Sequence, residues 1–285
     1  MSSEPTQIDP YLESEYNVRA RRVDFDEVVA DWMRRSATQR DELNCRLDLA
    51  YGSGDRECMD VFTANDPDAP TLIYIHGGYW QRHDKSIYSF LAEPYVNSGA
   101  NVVIPNYDLC PAGTIPEITD QIQQAIVWLW RNAASLGVSA DHINVSGHSA
   151  GGHLTAMMLA TDWPVLGDDI PADIIKSAIS LSGIYELEPL RNTTINEAVG
   201  IDEWTASDYS PLYLSPTSSA ALLVSLGGAE TSQFHQQSRN FVAEWAQYDL
   251  EISLHIEPGV DNFDVVNRLA DPESELFKRA RATLR

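Results

Sequence analysis

The chain has 285 residues, 44% of them hydrophobic, with seven Trp and twelve Tyr, enough for one large core and too apolar for global disorder. Nineteen Lys and Arg against 42 Asp and Glu leave a formal charge of −23, which argues against nucleic acid or an anionic membrane as a partner, because phosphate binding needs a basic surface. Cys45, Cys58 and Cys110 lack metal-type spacing and read as reduced thiols. No apolar run reaches the ~18 residues of a membrane span, and the start MSSEPTQIDPYLESEY has no charged-then-apolar leader, so a soluble, cytoplasmic protein is expected.

In chain order, residues 11–43 read as a helical segment, with Val23, Phe25, Val28, Val29 and Trp32 at short helical spacing. Two short strands follow near 45–51 and 57–63, split by the turn sequence GSGD. The pattern then changes to apolar runs that end in glycine or polar residues. These are TLIYIHGG (71–78), NVVIPNYD (101–108), HINVSGHS (142–149), IIKSAISLSG (174–183), ALLVSLGG (221–228) and EISLHIEPG (251–259). Parallel strands covered on both faces read this way.

Helical patterns lie between the runs. The clearest is 116–134, where Ile118, Ile122, Ile126, Leu129 and Ala133 form an apolar stripe. Alternation of this kind predicts a mostly parallel sheet with helices on both faces and an antiparallel hairpin at its leading edge. One α/β domain over 1–285 is expected, with 1–43 packed near the site mouth and 185–216 an excursion over the carboxyl edge of the sheet.

The strongest chemical signal is GHSAG, 147–151, between a strand and a helix-like run. It has the form of a Gly-x-Ser-x-Gly nucleophile elbow, which makes Ser149 the candidate nucleophile; Gly147 and Gly151 let strand and helix approach closely. The second signal is HGGYW, 76–80, at the end of the first long strand. Its two glycines leave backbone N–H groups uncovered, so Gly77, Gly78 and Ala150 are the candidate oxyanion hole. Tyr79, Trp80 and Tyr185 are candidate substrate-binding aromatics, with filling the wall between loop and sheet as the alternative reading.

Together, HGGYW, NYDLCP (106–111), GHSAGGHL (147–154), SLSGIYELEPL (180–190) and GGAETSQFHQQS (227–238) resemble the kynurenine formamidase branch of the α/β-hydrolases, over roughly residues 60–270. The branch relates more distantly to carboxylesterases of the hormone-sensitive-lipase type. The resemblance implies an α/β-hydrolase fold and hydrolysis of a small aryl N-formyl amide, amide or ester by a Ser-acid-His triad, with no metal and no cofactor. By position it puts the acid at Glu230, where the family usually has Asp, and the base 32 residues later. There the family reads Asp-His-Phe and this chain reads Asp261-Asn262-Phe263.

An amide cannot take the serine proton, and loss of the histidine alone costs a serine protease on the order of 10⁶-fold in turnover. This chain is therefore expected to be a severely slowed hydrolase. His76 and His148 are assigned to the oxyanion loop and the elbow, and His153 to the helix behind it. His83 and His142 have no supporting pattern, His235 falls in the helix after Glu230, one turn too far along, and His255 lies inside the last strand, so none of the seven histidines is expected to replace the base. Asn262 is what a substitution made to trap bound substrate would leave. A natural ligand-binding protein on the same scaffold is the alternative, and the oligomeric state stays open.

Overall fold

The computed structural model describes residues 7–66 and 68–285; residues 1–6 of the N-terminal segment and Pro67 lie outside them. Eight strands form one sheet in the order β1-β2-β4-β3-β5-β6-β7-β8. They are β1 (Cys45–Ala50), β2 (Cys58–Phe62), β3 (Thr71–Ile75), β4 (Asn101–Pro105), β5 (Ile143–His148), β6 (Ile175–Leu181), β7 (Ala221–Gly227) and β8 (Ile252–Glu257). β1 pairs antiparallel with β2, and β2 with β4, while every pair from β4 onward across the sheet is parallel. This is an α/β-hydrolase sheet, with the hairpin at the edge that the GSGD turn predicts. Every residue of β3, β4 and β5 is buried, whereas at the two edges β1 is largely exposed and β8 mostly half-buried. The continuous apolar runs are thus the central strands, covered on both faces.

The N-terminal segment is not one helix. It breaks into α1 (Pro10–Tyr16), a 3-10 turn over Val18–Arg21, and α2 (Phe25–Glu42). Val23, expected on the apolar stripe, lies in the break and is fully exposed, while Trp32 is buried. Asp9 caps α1 by accepting from the N–H groups of Tyr11 and Leu12. After β3 come α3 (Ala92–Asn97) and α4 (Ile115–Leu136), the latter opened by a Thr114–Glu117 capping box and closed by left-handed Gly137. α5 (Ala150–Ala160) follows β5. The stretch 185–216 carries α6 (Asn196–Val199), α7 (Glu203–Asp208) and two 3-10 turns. α8 (Ser232–Trp245), α9 (Asp264–Leu269) and α10 (Glu275–Thr283) complete the chain.

Two hydrophobic clusters lie on the two faces of the sheet. One gathers Ile73, Val145 and Leu154 with the α4 stripe, the other Leu72, Val102 and Ile179 with Trp32 and α10. β3 lies between β4 and β5, so the chain reverses its winding direction there. A crevice opens at such a reversal, beyond the carboxyl ends of the strands. Everything described next gathers there.

Candidate active site

β5 ends at His148 and α5 starts at Ala150, so a single residue makes the turn between them. That residue, Ser149, has φ 55° and ψ −115°, a conformation costing roughly 1–3 kcal/mol. Its N–H donates to Leu181 O at 2.8 Å, and its carbonyl accepts from His153 N at 3.0 Å, which pins the turn. The flanking glycines are required by contact. A Cβ on Gly147 would stand 2.1 Å from the Gly151 carbonyl oxygen, and one on Gly151 would stand 2.0 Å from that of Ile75. Larger residues at either place would force helix and strand apart and withdraw the serine.

Ile75 and Gly147 are partners in the β3–β5 register, so the chain leaving β3 runs directly beside the elbow. A Cβ on Gly77 would meet the His148 carbonyl oxygen at 2.7 Å and Ser149 Cβ at 3.2 Å. Gly78 has φ +117°, open to glycine alone, and Tyr79 and Trp80 follow with φ 51° and 55°. The Gly77 and Gly78 N–H groups donate to no acceptor among the described residues, and Ala150, the first residue of α5, has no helical acceptor behind it. Gly78 shares a cavity wall with Ser149, and Ala150 follows it directly. His76 holds the loop from behind, its ring stacked on Tyr107 at 4.3 Å.

Glu230 stands in the turn after β7. Its Oε1 accepts from Ser182 Oγ at 2.5 Å and from Gly227 N at 2.7 Å, and its Oε2 accepts from Asn262 Nδ2 at 2.9 Å. Burial pushes the carboxyl up to about 7 even though these three donors pull it down, since no cation sits beside it. Asn262, itself buried, follows β8 in a tight loop: Asp261 Oδ1 accepts from the N–H groups of Phe263 and Asp264, each at 2.9 Å. Arg22 grips that loop from outside through Asp261 at 2.6 Å and Asp264 at 2.8 Å.

Ser149 and Asn262 share the wall of one cavity of about 130 Å³ with Tyr79, Phe25, Trp32, Tyr88 and Phe263. A hydrophobic void of this size takes a single aromatic ring. The rim is polar, with Asn17, Arg19, Arg82 and Thr194. The N-terminal segment supplies part of the wall, and the excursion supplies Thr194 and Ile195.

Of the aromatic candidates, only Tyr79 reaches the cavity, and its hydroxyl donates to the Tyr16 carbonyl. Trp80 and Tyr185 are corrections. The left-handed turn at Trp80 carries its indole inward, edge-on to His153 at 5.1 Å, and Tyr185 is stacked on Phe241 at 4.0 Å with its hydroxyl against Ser180 Oγ at 2.7 Å. Both are fully buried and neither lines the cavity.

Two histidines do line it, His148 and His83, and burial pushes them down to about 4 and about 3. His83 has no sequence signal beyond its closeness to HGGYW. His153 is spent on the Tyr209 carbonyl at 2.7 Å, and His255 faces Glu257 at 2.8 Å along its own strand. Among the described residues, no group of three or more His, Cys, Asp or Glu side chains is arranged to hold a metal ion. No helix among them is long and apolar enough to cross a membrane.

Residues 59–244 match the BD-FAE family. The kynurenine formamidase of Salmo salar is 32% identical over 81% of this chain and 79% of its own, and that of Danio rerio is 33% identical over the same shares. Among solved structures, a Silicibacter sp. tm1040 protein provisionally described as a thioesterase superposes with a TM-score of 0.81 at 33% identity, covering 96% of this chain and 98% of its own. With a serine elbow, an open N–H loop and a carboxylate gathered at one edge of an α/β sheet, these likenesses settle the family: the chain belongs to the BD-FAE family of α/β-hydrolases and is an amidase or esterase of the kynurenine formamidase-like branch.

Proposed function

We propose that the chain is built to hydrolyse a small aryl N-formyl amide, or a related amide or ester, with Ser149 as nucleophile and Glu230 as triad acid. Gly77, Gly78 and Ala150 are the oxyanion donors in this reading, and position 262 is the seat of the base. The observation that carries it is the hydrogen bond from Asn262 to Glu230, 2.9 Å long, made by a side chain that shares the cavity wall with Ser149. A triad histidine bonds the acid in the same way through one nitrogen and turns the other toward the nucleophile. Asparagine keeps the contact with the acid and lacks the basic nitrogen. Attack by Ser149 on a carbonyl would be assisted by three N–H donors and hindered by a proton with no efficient acceptor. The cavity, aromatic and about one ring in size, suits an aryl group.

The test is Asn262→His, assayed with N-formyl aryl amides, aryl esters and cyclic amides. Turnover is expected to rise at least a thousandfold, because an imidazole there has Glu230 to set its tautomer and Ser149 to deprotonate. Ser149→Ala added to the variant should abolish the gain. If no member of the panel is turned over faster than by the parent chain, a small-ligand binding protein is the reading left standing.

A further inference from the structure

We propose that in this chain His148 takes the proton of Ser149, with Asn262 as the group that orients its ring. The proposal rests on the serine-hydrolase reading above. Its first support is an anomaly of burial. His148 is 4% exposed and lines the cavity beside Ser149, yet neither ring nitrogen has a hydrogen-bond partner of standard geometry among the described residues. Buried polar atoms without partners are rare in folded proteins and call for a reason.

The second support is direction. The ionised Glu230 carboxylate offers only acceptors, so above about pH 7 it draws Asn262 Nδ2 to itself, at 2.9 Å, and leaves Oδ1 turned away. The side chain and backbone of Asn262 lie beside the His148 ring and pull its basicity upward against burial. The third support is proximity. The point where a Cβ on Gly77 would stand is 3.0 Å from His148 Nδ1 and 3.2 Å from Ser149 Cβ, so the ring and the nucleophile side chain both border the space left by that bare glycine. An asparagine that orients a histidine beside a nucleophile is a known arrangement in cysteine proteases. Here Glu230 would hold Asn262, Asn262 would hold His148, and Glu230 would be one step removed from the chemistry.

The step balances without further reagents. As the Ser149 Oγ–carbon bond forms, the carbonyl π pair moves to oxygen and the hydroxyl proton passes to the unprotonated nitrogen of His148. Collapse of the adduct expels the amine or alkoxide, which takes that proton; water repeats the sequence to release the acid. A ring this deeply buried is a weak base, and so the turnover it supports is slow.

The experiment measures acylation by p-nitrophenyl acetate for the parent chain, His148→Gln, Asn262→His and the double variant. Expected is a Ser149-dependent acylation in the parent that His148→Gln lowers about 100-fold or more, against a loss at least tenfold smaller in the Asn262→His background. Equal losses in the two backgrounds mean a structural role and overturn the proposal. So does a parent chain with no Ser149-dependent acylation while Asn262→His is active. Inactivity of all four proteins sinks the hydrolase reading itself.

Should His148→Gln fail to fold, the pH profile of the parent decides. The groups facing the ring are Asp261 from the loop after β8, His83 from the loop after β3, and through it His76. With His148 as base the parent rate is level from pH 5 to 8 apart from a step near 7 where Glu230, which holds Asn262, titrates, whereas the imidazole of the Asn262→His variant bends its profile near 6.5. A parent rate that climbs tenfold per pH unit across that range indicates hydroxide and overturns the proposal.

Discussion

Glu230 shows what a neutral partner does to a buried carboxyl. A triad carboxylate beside a histidine has a cation to stabilise it as the reaction proceeds; here its partner is a neutral amide, and burial raises it to about 7 from an ordinary 4.5. Between those two pH values the folded chain holds a proton that the unfolded chain has released. The stability due to this group is thus complete below about 4.5 and is lost as pH rises through about 7. Glu230→Gln removes the titration. Chemical denaturation at pH 5 and pH 8 should show the variant gaining about 1–2 kcal/mol on the parent between them, less than the full shift implies because the side chain is only partly buried. A gap that does not change with pH would falsify the assignment. At the same scale lie Trp80 and Tyr185, whose residue type suggested an aryl pocket and whose backbone turned them into the core.

At the scale of elements, the N-terminal segment laces the site loops together. Glu13 accepts from Thr194 N and Oγ1 at 2.8 and 2.7 Å, reaching the excursion. Glu15 Oε2 accepts from Ser232 Oγ at 2.6 Å and Gln233 N at 3.0 Å, next to the acid loop. The Tyr16 carbonyl takes the Tyr79 hydroxyl of the loop after β3, and Arg22 holds Asp261 and Asp264 on either side of Asn262. These aspartates hold the Arg22 guanidinium well above its ordinary value, and its side chain is only 18% exposed. Arg22→Gln should cost about 1–2 kcal/mol of stability, since charge-assisted forks are the stronger hydrogen bonds. In the Asn262→His background it should lower kcat more than KM, with partial recovery in Arg22→Lys, because the loop would hold its imidazole less firmly. A change confined to KM would make Arg22 a substrate contact instead.

For the whole molecule, the sheet and the charge act separately. The sheet brings the ends of β3, β5, β6, β7 and β8 to one edge, and a net charge of −23 surrounds it. Self-repulsion of that size opposes the compact state and is screened once the Debye length falls from ~30 Å to a few ångströms. Raising sodium chloride from 10 mM to 0.5 M should therefore raise the melting temperature by several degrees, read by circular dichroism. A lower melting temperature in salt would mean that pairs such as Arg22 with its aspartates outweigh the general repulsion.

The sequence by itself determined the strands, the elbow and the distance from Glu230 to position 262. Each is a local matter: period of apolar residues, room for two glycines, order along the chain. It also left the central oddity in view, because an asparagine can be read from one letter. What only the tertiary structure decided was which side chains face the cavity. Trp80 and Tyr185 turned inward, while Phe25, Trp32 and His83 came to the wall from segments with no catalytic motif. His148 is the sharpest case. From sequence it was a spacer inside an elbow; its partnerless ring between Gly77 and Asn262 exists only once β3, β5 and the loop after β8 are side by side. Burial and orientation depend on neighbours distant in the chain, and no local pattern records them.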